Sequence, residues 1–442
     1  MLAPRQGKQY ASDNERGGSD KFMVFELDHR GHHPGYVQHL VKYWCEQKFS
    51  GHLDLLVSPT FMQQHTNIVD IALNSNQKNI EFIPISSKEE AALVEGPKLA
   101  DSFTGRIQRA FQELYLLRKY AISLGTTHCL IMYLDSILLR LALGAKFPCL
   151  FSSIYFRPIF HYRDFANYVP AGKEGVWQWR DKFCLPRLLN NPQLQTVFCL
   201  DPFAVEQLDK FQSKAQMVYL PDPVQIYNDS ETQLEKLKNS LGIEPDRQVF
   251  LFFGVLTERK GIHQLLDAIN LLPPNLAQKL CLLLIGPFEL NAQEQIKKRV
   301  SEISQSLPIQ IVNRHDFITD RAIQPYFQIA DVILAPYQRH IGMSAILVRA
   351  AAAQKPVLSS DFGLMGEVSR RYGLGLVVDS TVPSEITKGL ERFILESPIK
   401  LCDYEKMKQF ADQNKAEKFA HTIFQHLQPN YSAENVYTNT NL

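Results

Sequence analysis

Val249-Phe250-Leu251-Phe252-Phe253-Gly254-Val255-Leu256-Thr257-Glu258-Arg259-Lys260-Gly261 decides the fold. Its first five residues include no polar member, as in a strand buried on both faces. A glycine follows at once, and Leu265, Leu266, Ile269 and Leu272 then recur at the spacing of one helix face, which predicts a helix over 261–272. Strand, glycine loop and amphipathic helix in that order are the repeating unit of an open parallel sheet. The alternation continues downstream. Strands are expected over 280–285, 309–312, 332–335, 357–359 and 374–378, with helices over 292–304, 320–329 and 345–353 between them.

The same pattern runs upstream. A strand over 22–27 leads through His29-Arg30-Gly31-His32-His33-Pro34-Gly35 into a helix over 36–44. Further strands are expected over 53–57, 128–132, 149–151, 197–200 and 217–220, and Ile107, Phe111, Leu114 and Ala121 mark one face of a helix ending near Gly125. Pro221-Asp222-Pro223 and the polar stretch 228–246 separate the two series. The expected class is therefore α/β, with two Rossmann-like, doubly wound parallel-sheet domains over 21–225 and 226–400. A last helix over 404–426, within the segment 401–428, covers the second sheet or crosses back to the first. The polar ends, 1–20 and 429–442, read as flexible tails.

Composition excludes several function classes. Lys plus Arg number 47 against 46 Asp plus Glu, so a globally basic nucleic-acid binder is not expected. Cysteines 45, 129, 149, 184, 199, 281 and 402 are scattered without a Cys-x-x-Cys pair, which suits reduced thiols and argues against zinc. No apolar run reaches membrane-spanning length, and the N-terminal stretch lacks a signal-peptide core, so a cytoplasmic protein is expected. Trp177, Trp179, Arg180, Lys182 and Phe183 form an aromatic–basic cluster that suits peripheral contact with a membrane, stacking on a sugar, or an ordinary packed helix.

In parallel sheets ligands bind beyond the carboxyl ends of the strands. Arg259 and Lys260, in the loop behind Gly254, are the first candidates there, since Arg grips a diphosphate bidentately and Lys adds a point charge. Gly342 and Ser344 precede an alanine-rich helix whose start can receive phosphate, or Ser344 is a plain cap. Asp361 is a ligand acceptor or a turn cap, and Gly286 marks a tight loop. In the first half, Gly31 and Gly35 permit close approach of a ligand. Asp135, Tyr155, Arg157 and His161 are acceptor-side candidates, though a structural role is the more ordinary reading of each. Histidines 29, 32 and 33 lack spaced partners for a metal, and none is expected.

Taken together, the second half resembles the donor domain of the family 4 glycosyltransferases, retaining enzymes of the GT-B fold. The resemblance is carried by Phe253-Gly254 with Arg259-Lys260-Gly261, Leu284-Ile285-Gly286-Pro287, Ala330-Asp331-Val332 with Ala335-Pro336, and Lys355-Pro356-Val357-Leu358-Ser359-Ser360-Asp361 with Gly363 and Glu367. Tyr219-Leu220-Pro221-Asp222-Pro223-Val224 is similar to the interdomain junction of such enzymes. The resemblance implies a nucleotide-sugar donor held without a cofactor or metal, and an unidentified acceptor bound on the first domain. It implies that Lys260 with Arg259 holds the donor diphosphate, that the helix start at 342–345 receives the same phosphates, and that the loop 31–35 closes over the donor. A phosphate oxygen then takes the acceptor proton.

The chain departs from the family at three places. The pair of glutamates eight positions apart falls on Ile341 and Arg349, so Arg349 stands as the donor-side candidate at the second position and Asp361 or Glu367 as a substitute carboxylate. Val255 stands where the family often has Arg, and Ile154 or Tyr155 where it often has His. A catalytically silent GT-B-shaped binding or regulatory protein is the main alternative to a transferase, and a nucleotide-sugar epimerase is a third.

Overall fold

In β1 (Lys21–Phe25) Met23 and Phe25 enter one apolar core while Phe22 and Val24 enter another. The pleat turns successive side chains to opposite faces, so a strand that is apolar at four successive positions needs helices on both sides. β8 (Gln248–Phe253) repeats this in the second half, with Val249 and Leu251 on one face and Phe250 and Phe252 on the other. The computed structural model describes residues 20–427 except 48, 95–102, 209, 212, 228, 290–291 and 317. The tails expected over 1–20 and 429–442 thus lie, but for Asp20, outside the described residues.

The first sheet also contains β2 (His52–Val57), β3 (Ile80–Pro84), β4 (His128–Ile131), β5 (Leu150–Tyr155), β6 (Leu194–Cys199) and β7 (Gln216–Tyr219), in the order β3-β2-β1-β4-β5-β6-β7. The second contains β9 (Leu280–Ile285), β10 (Gln310–Arg314), β11 (Val332–Ala335), β12 (Val357–Ser360) and β13 (Gly375–Val378), in the order β10-β9-β8-β11-β12-β13. All these pairings are parallel. In each sheet the strand order reverses beside the first strand, β1 or β8. That reversal opens a crevice at the carboxyl ends, where the loops after neighbouring strands diverge.

Three local readings need correction. β3 is absent from the sequence-derived strands because Ile80-Glu81-Phe82-Ile83-Pro84 is only half-buried, as befits a sheet edge. β5 runs on to Tyr155, past the expected end at 151, because Ser152 and Ser153 are fully buried and hydrogen-bonded, to His128 at 3.0 Å and to the Ile131 carbonyl at 3.0 Å. The helix expected over 404–426 is two helices, Tyr404–Gln413 and Ala416–Leu427.

Asn414 explains that break. It is fully buried; its side chain donates to the Phe410 carbonyl at 2.8 Å and accepts from the Asp222 N–H at 2.9 Å and the Tyr219 hydroxyl at 3.2 Å. The chain between the two sheets is thereby tied to the helix break, and an amide side chain satisfies groups that a continuous helix would leave unpaired. Met407 and Phe410 of the first helix pack into the second domain's core. Phe419, Ile423 and Phe424 of the second join Val37, Leu40 and Trp44 of the first domain. The C-terminal segment crosses back over the crevice's hinge.

Candidate active site

The loop after β8 is built around two glycines. At Gly254 (φ +100°) the Lys260 ammonium occupies the place a Cβ would take, donating to the Phe253 carbonyl at 2.8 Å. Thr257 caps the short 3-10 turn Glu258–Lys260, and Gly261 closes it in a left-handed conformation (φ +81°). The helix Ile262–Asn270 starts immediately afterwards. Lys260 thus curls back over the loop while Arg259 extends to His340, and both lie near the Tyr337 ring, at 5.5 and 5.7 Å.

β11 supplies the facing wall. Tyr337 to Ser344 connect it to the helix Ala345–Ala352, whose start carries no side-chain cap. Ser344 donates instead to the Tyr337 hydroxyl at 3.3 Å while its carbonyl takes the Leu347 N–H at 3.1 Å, which leaves the N–H groups of Ala345 and Ile346 for an external acceptor. His340 donates from Nε2 to the Met343 carbonyl at 3.2 Å, so its bare Nδ1 faces the Arg259 guanidinium at 3.4 Å. Burial first, and then the charges of Arg259, Arg157 and Lys260, hold the His340 imidazole down at about 4, neutral at physiological pH. Arg339 adopts φ +45°, rare for a side-chain-bearing residue, and reaches across the domains to the Val169 carbonyl at 2.7 Å.

These elements enclose a crevice of about 680 Å³ between the sheets. Arg157, Arg259, Lys260 and Arg339 are its cations, while Glu174 and Asp222 are its carboxylates. His32, Tyr36, Tyr133 and Phe156 form its wall on the first domain, with Phe156 stacked on Tyr36 at 5.7 Å. A second pocket of about 330 Å³ adjoins it and shares His32, Tyr133 and Arg157 with it. Glu26, Asp28, His33, Arg109 and Glu113 line this pocket. There the His33 ring meets the buried Glu26 carboxylate at 2.6 Å. Burial alone would lower the His33 pKa, but the Glu26 hydrogen bond and charge outweigh it and hold the imidazole above its ordinary value.

The structure thus brings together Arg259, Lys260, Gly342, Ser344 and Arg157. It places the other candidates elsewhere. Gly286 packs on the Gly254 carbonyl and supports the loop from behind. Gly31 and Gly35 flank His32 without lining the crevice themselves. Asp361 accepts from the Asn167 side chain at 2.8 Å, and Glu367 accepts from the Ala166 N–H and from Arg370, both at 3.2 Å. Both carboxylates thereby bridge the domains or brace the Gly363–Arg371 helix. Arg349 is buried and pairs with Asp320 rather than facing the crevice.

On the acceptor side, Asp135 accepts from the N–H groups of Phe156 and Arg157 at 3.0 and 3.1 Å, positioning the loop that carries Arg157. Burial pushes its carboxyl up to about 6. Tyr155 and His161 are core residues: the Tyr155 hydroxyl donates to Asp181 at 2.6 Å, and His161 bonds Asp201 at 2.9 Å. Neither lines the crevice, because each finds its polar partner within the first domain. Sequence reasoning left out Tyr133, Glu174 and Asp222 as crevice residues, and weighed His32 only as a metal ligand in the loop 31–35. Asp222 was legible only as part of a proline-flanked break. Among the described residues His52, Asp54 and Glu81 bring potential metal-ligand atoms within 4.8 Å of one another, but in β2 and β3, not in the crevice.

Residues 233–417, which carry β8 to β13, the cationic loop and the uncapped helix, match the family model described as Glycosyl transferases group 1. That match falls on the second domain. No curated protein sequence matches the chain. Among solved structures it is similar to the Candida albicans trehalose-6-phosphate phosphatase N-terminal domain (11% identity, TM-score 0.64), covering 95% of this chain and 98% of that one. It is also similar to an Anabaena protein, HepE, solved in complex with UDP (13% identity, TM-score 0.63), over 93% of this chain and 100% of that one. The sucrose-phosphate synthase of Thermosynechococcus elongatus (16% identity, TM-score 0.62) matches over 94% and 100%. At such identities the likeness speaks to the fold, which is GT-B. In the second domain the crevice lies at the carboxyl ends of β8 and β11, and the first domain supplies the opposite wall.

Proposed function

We propose that the chain transfers a sugar from a nucleoside diphosphate sugar to an acceptor hydroxyl bound against the first domain, with retention at the anomeric carbon as the family resemblance implies. The observation that carries this reading is the convergence of Arg259, Lys260 and the uncapped start of the Ala345–Ala352 helix on one crevice. Guanidinium, ammonium and a row of backbone N–H groups are the donor set that a diphosphate needs. The acceptor oxygen bonds to the anomeric carbon as the bond from that carbon to the phosphate oxygen breaks. The electron pair stays on the leaving diphosphate, which also takes the acceptor proton. Positive groups already in place at that oxygen stabilise the transition state without reorganising. The 330 Å³ pocket beside His33 is the acceptor side of this reading. The UDP found in HepE supports the diphosphate part.

A thermal-shift panel of nucleoside diphosphates and nucleotide sugars tests it directly. At least one should raise the melting temperature at millimolar concentration; if none does, the donor site is wrongly assigned. Arg349 and Ile341, standing where the family carries its glutamates, favour a second reading, a binding protein that holds a nucleotide sugar without consuming it. Consumption of donor in the presence of acceptors separates the two.

Donor recognition without those glutamates falls to the carboxylates that the crevice does hold. Asp222 is the better placed for a ribose or sugar hydroxyl, on the crevice floor where it accepts from Tyr36 at 2.8 Å. Asp222→Asn keeps an acceptor for Tyr36 and should leave the melting temperature in place. Losing a charged hydrogen bond to donor should raise the donor KM about tenfold, with kcat little changed. A lower melting temperature with unchanged KM would make Asp222 purely structural.

A further inference from the structure

Sixteen large apolar side chains stand exposed among the described residues, and eight of them belong to one face of the first domain. The helix Phe103–Leu124 exposes Phe111, Tyr115 and Ile122. The helix Leu134–Ala142 and the residue that ends it expose Leu139 and Leu143. The helix Glu174–Leu189 exposes Val176, Trp179 and Phe183. The three helices pack side by side, and their inner sides all enter the same core beneath the sheet. Their outer sides therefore form a second apolar surface, which an ordinary covering helix does not have.

Spacing and charge make this surface more than scattered exposure. Phe111, Tyr115, Arg118 and Ile122 follow each other at intervals of four, three and four residues. Val176, Trp179, Phe183 and Arg187 follow at three, four and four. Each set is one outward stripe that includes an arginine. Arg140 lies over the Phe111 ring and Arg187 over the Phe183 ring, at 2.9 and 3.7 Å from the ring centres. Arg118, Lys182 and Arg187 are exposed, as is Lys119, which pairs with Glu89 of the neighbouring Ser87–Val94 helix at 2.6 Å. The four carboxylates on these helices are not: Glu113 bonds Arg109, Asp135 bonds backbone, Glu174 bonds Tyr168, and Asp181 bonds Tyr155 and Arg180. An apolar groove of about 670 Å³ runs between the first two helices. A second copy of this face would set cations against cations, whereas a layer of lipid phosphates complements them.

We propose that the outer face of these three helices docks on the surface of an anionic phospholipid bilayer. The aromatic and aliphatic side chains enter the headgroup boundary, and the exposed Lys and Arg residues pair with lipid phosphates. Among the described residues no helix is long and apolar enough to cross a membrane, so the contact is one of surface docking. The inner edges of the same helices carry Arg109, Glu113 and Ser136 into the 330 Å³ pocket, which places that pocket near the lipid headgroups. The proposal does not depend on the transferase reading.

Vesicle co-sedimentation of the full chain tests it. The chain should pellet with phosphatidylcholine/phosphatidylserine vesicles and stay in solution with phosphatidylcholine alone, and added salt should release it. The Arg118→Ala/Lys182→Ala variant should bind the anionic vesicles about 25-fold more weakly, at about fivefold per cation. Trp179→Ser should weaken binding without changing its lipid preference, and melting temperatures should show all variants folded. Failure to pellet with either vesicle overturns the proposal, as does undiminished binding by the double variant. A dimer in sedimentation equilibrium that Trp179→Ser dissociates would assign the face to a second copy instead and overturn it equally.

Discussion

Lys260→Ala should lower sugar transfer by about 100- to 1,000-fold, the loss that removing one preorganised donor from a developing oxyanion produces. The fold should survive. The Lys260 ammonium makes one hydrogen bond within the protein, to the Phe253 carbonyl, and sits 5.5 Å from the Tyr337 ring. Its loss costs about 1 kcal/mol, the net worth of one intramolecular hydrogen bond. Lys260→Arg should not restore activity. The guanidinium is broader than an ammonium, and the space over Gly254 accommodates the compact group because that residue has no Cβ. Turnover and melting temperature together make the test: near-wild-type transfer by Lys260→Ala with an unchanged melt would remove the phosphate site from this loop. A large drop in melting temperature would make the lysine a structural strut.

The legibility of the sequence follows burial. β9 is fully apolar, and β8 is so from Val249 on, because they lie inside a sheet covered on both faces, and their positions follow from composition alone. β3, at the edge, alternates weakly and carries no such mark. Arg259 and Lys260 are readable because a site residue directly behind a strand needs only local information. Asp222 is not. Its partners Tyr36 and Asn414 lie 186 and 192 residues away, so proline-flanked Asp222 looks like simple punctuation. Tyr155 and His161 look like site residues for the converse reason. The carboxylates that satisfy them, Asp181 and Asp201, are 26 and 40 residues distant and become neighbours only when the first sheet closes. The orientation of Arg349 is a matter of the same kind, decided by Asp320 on the adjacent helix.

Gly261→Ala should be the most damaging single change in the donor loop for stability. Two demands meet at this residue: its φ of +81° disfavours any L side chain, and an added Cβ would collide with the Pro336 carbonyl and crowd the Gln338 amide. The Pro336 collision is with backbone, so no rotamer change relieves it. Conformational strain alone costs about 1–3 kcal/mol, and the steric conflict adds to that. A melting temperature lower by at least about 5 °C is expected. Transfer should fail as well, since the Gln338 N–H donates to the Arg259 carbonyl at 2.8 Å and a displaced 336–338 segment drags the cationic loop with it. Gly31→Asn separates the two demands. Gly31 also has a positive φ, +63°, but nothing lies within 4 Å of where its Cβ would be. Asn tolerates the left-handed region, so this variant should melt within a few degrees of wild type. Similar melts for the two variants would show that space at Gly261 is not what fixes the loop.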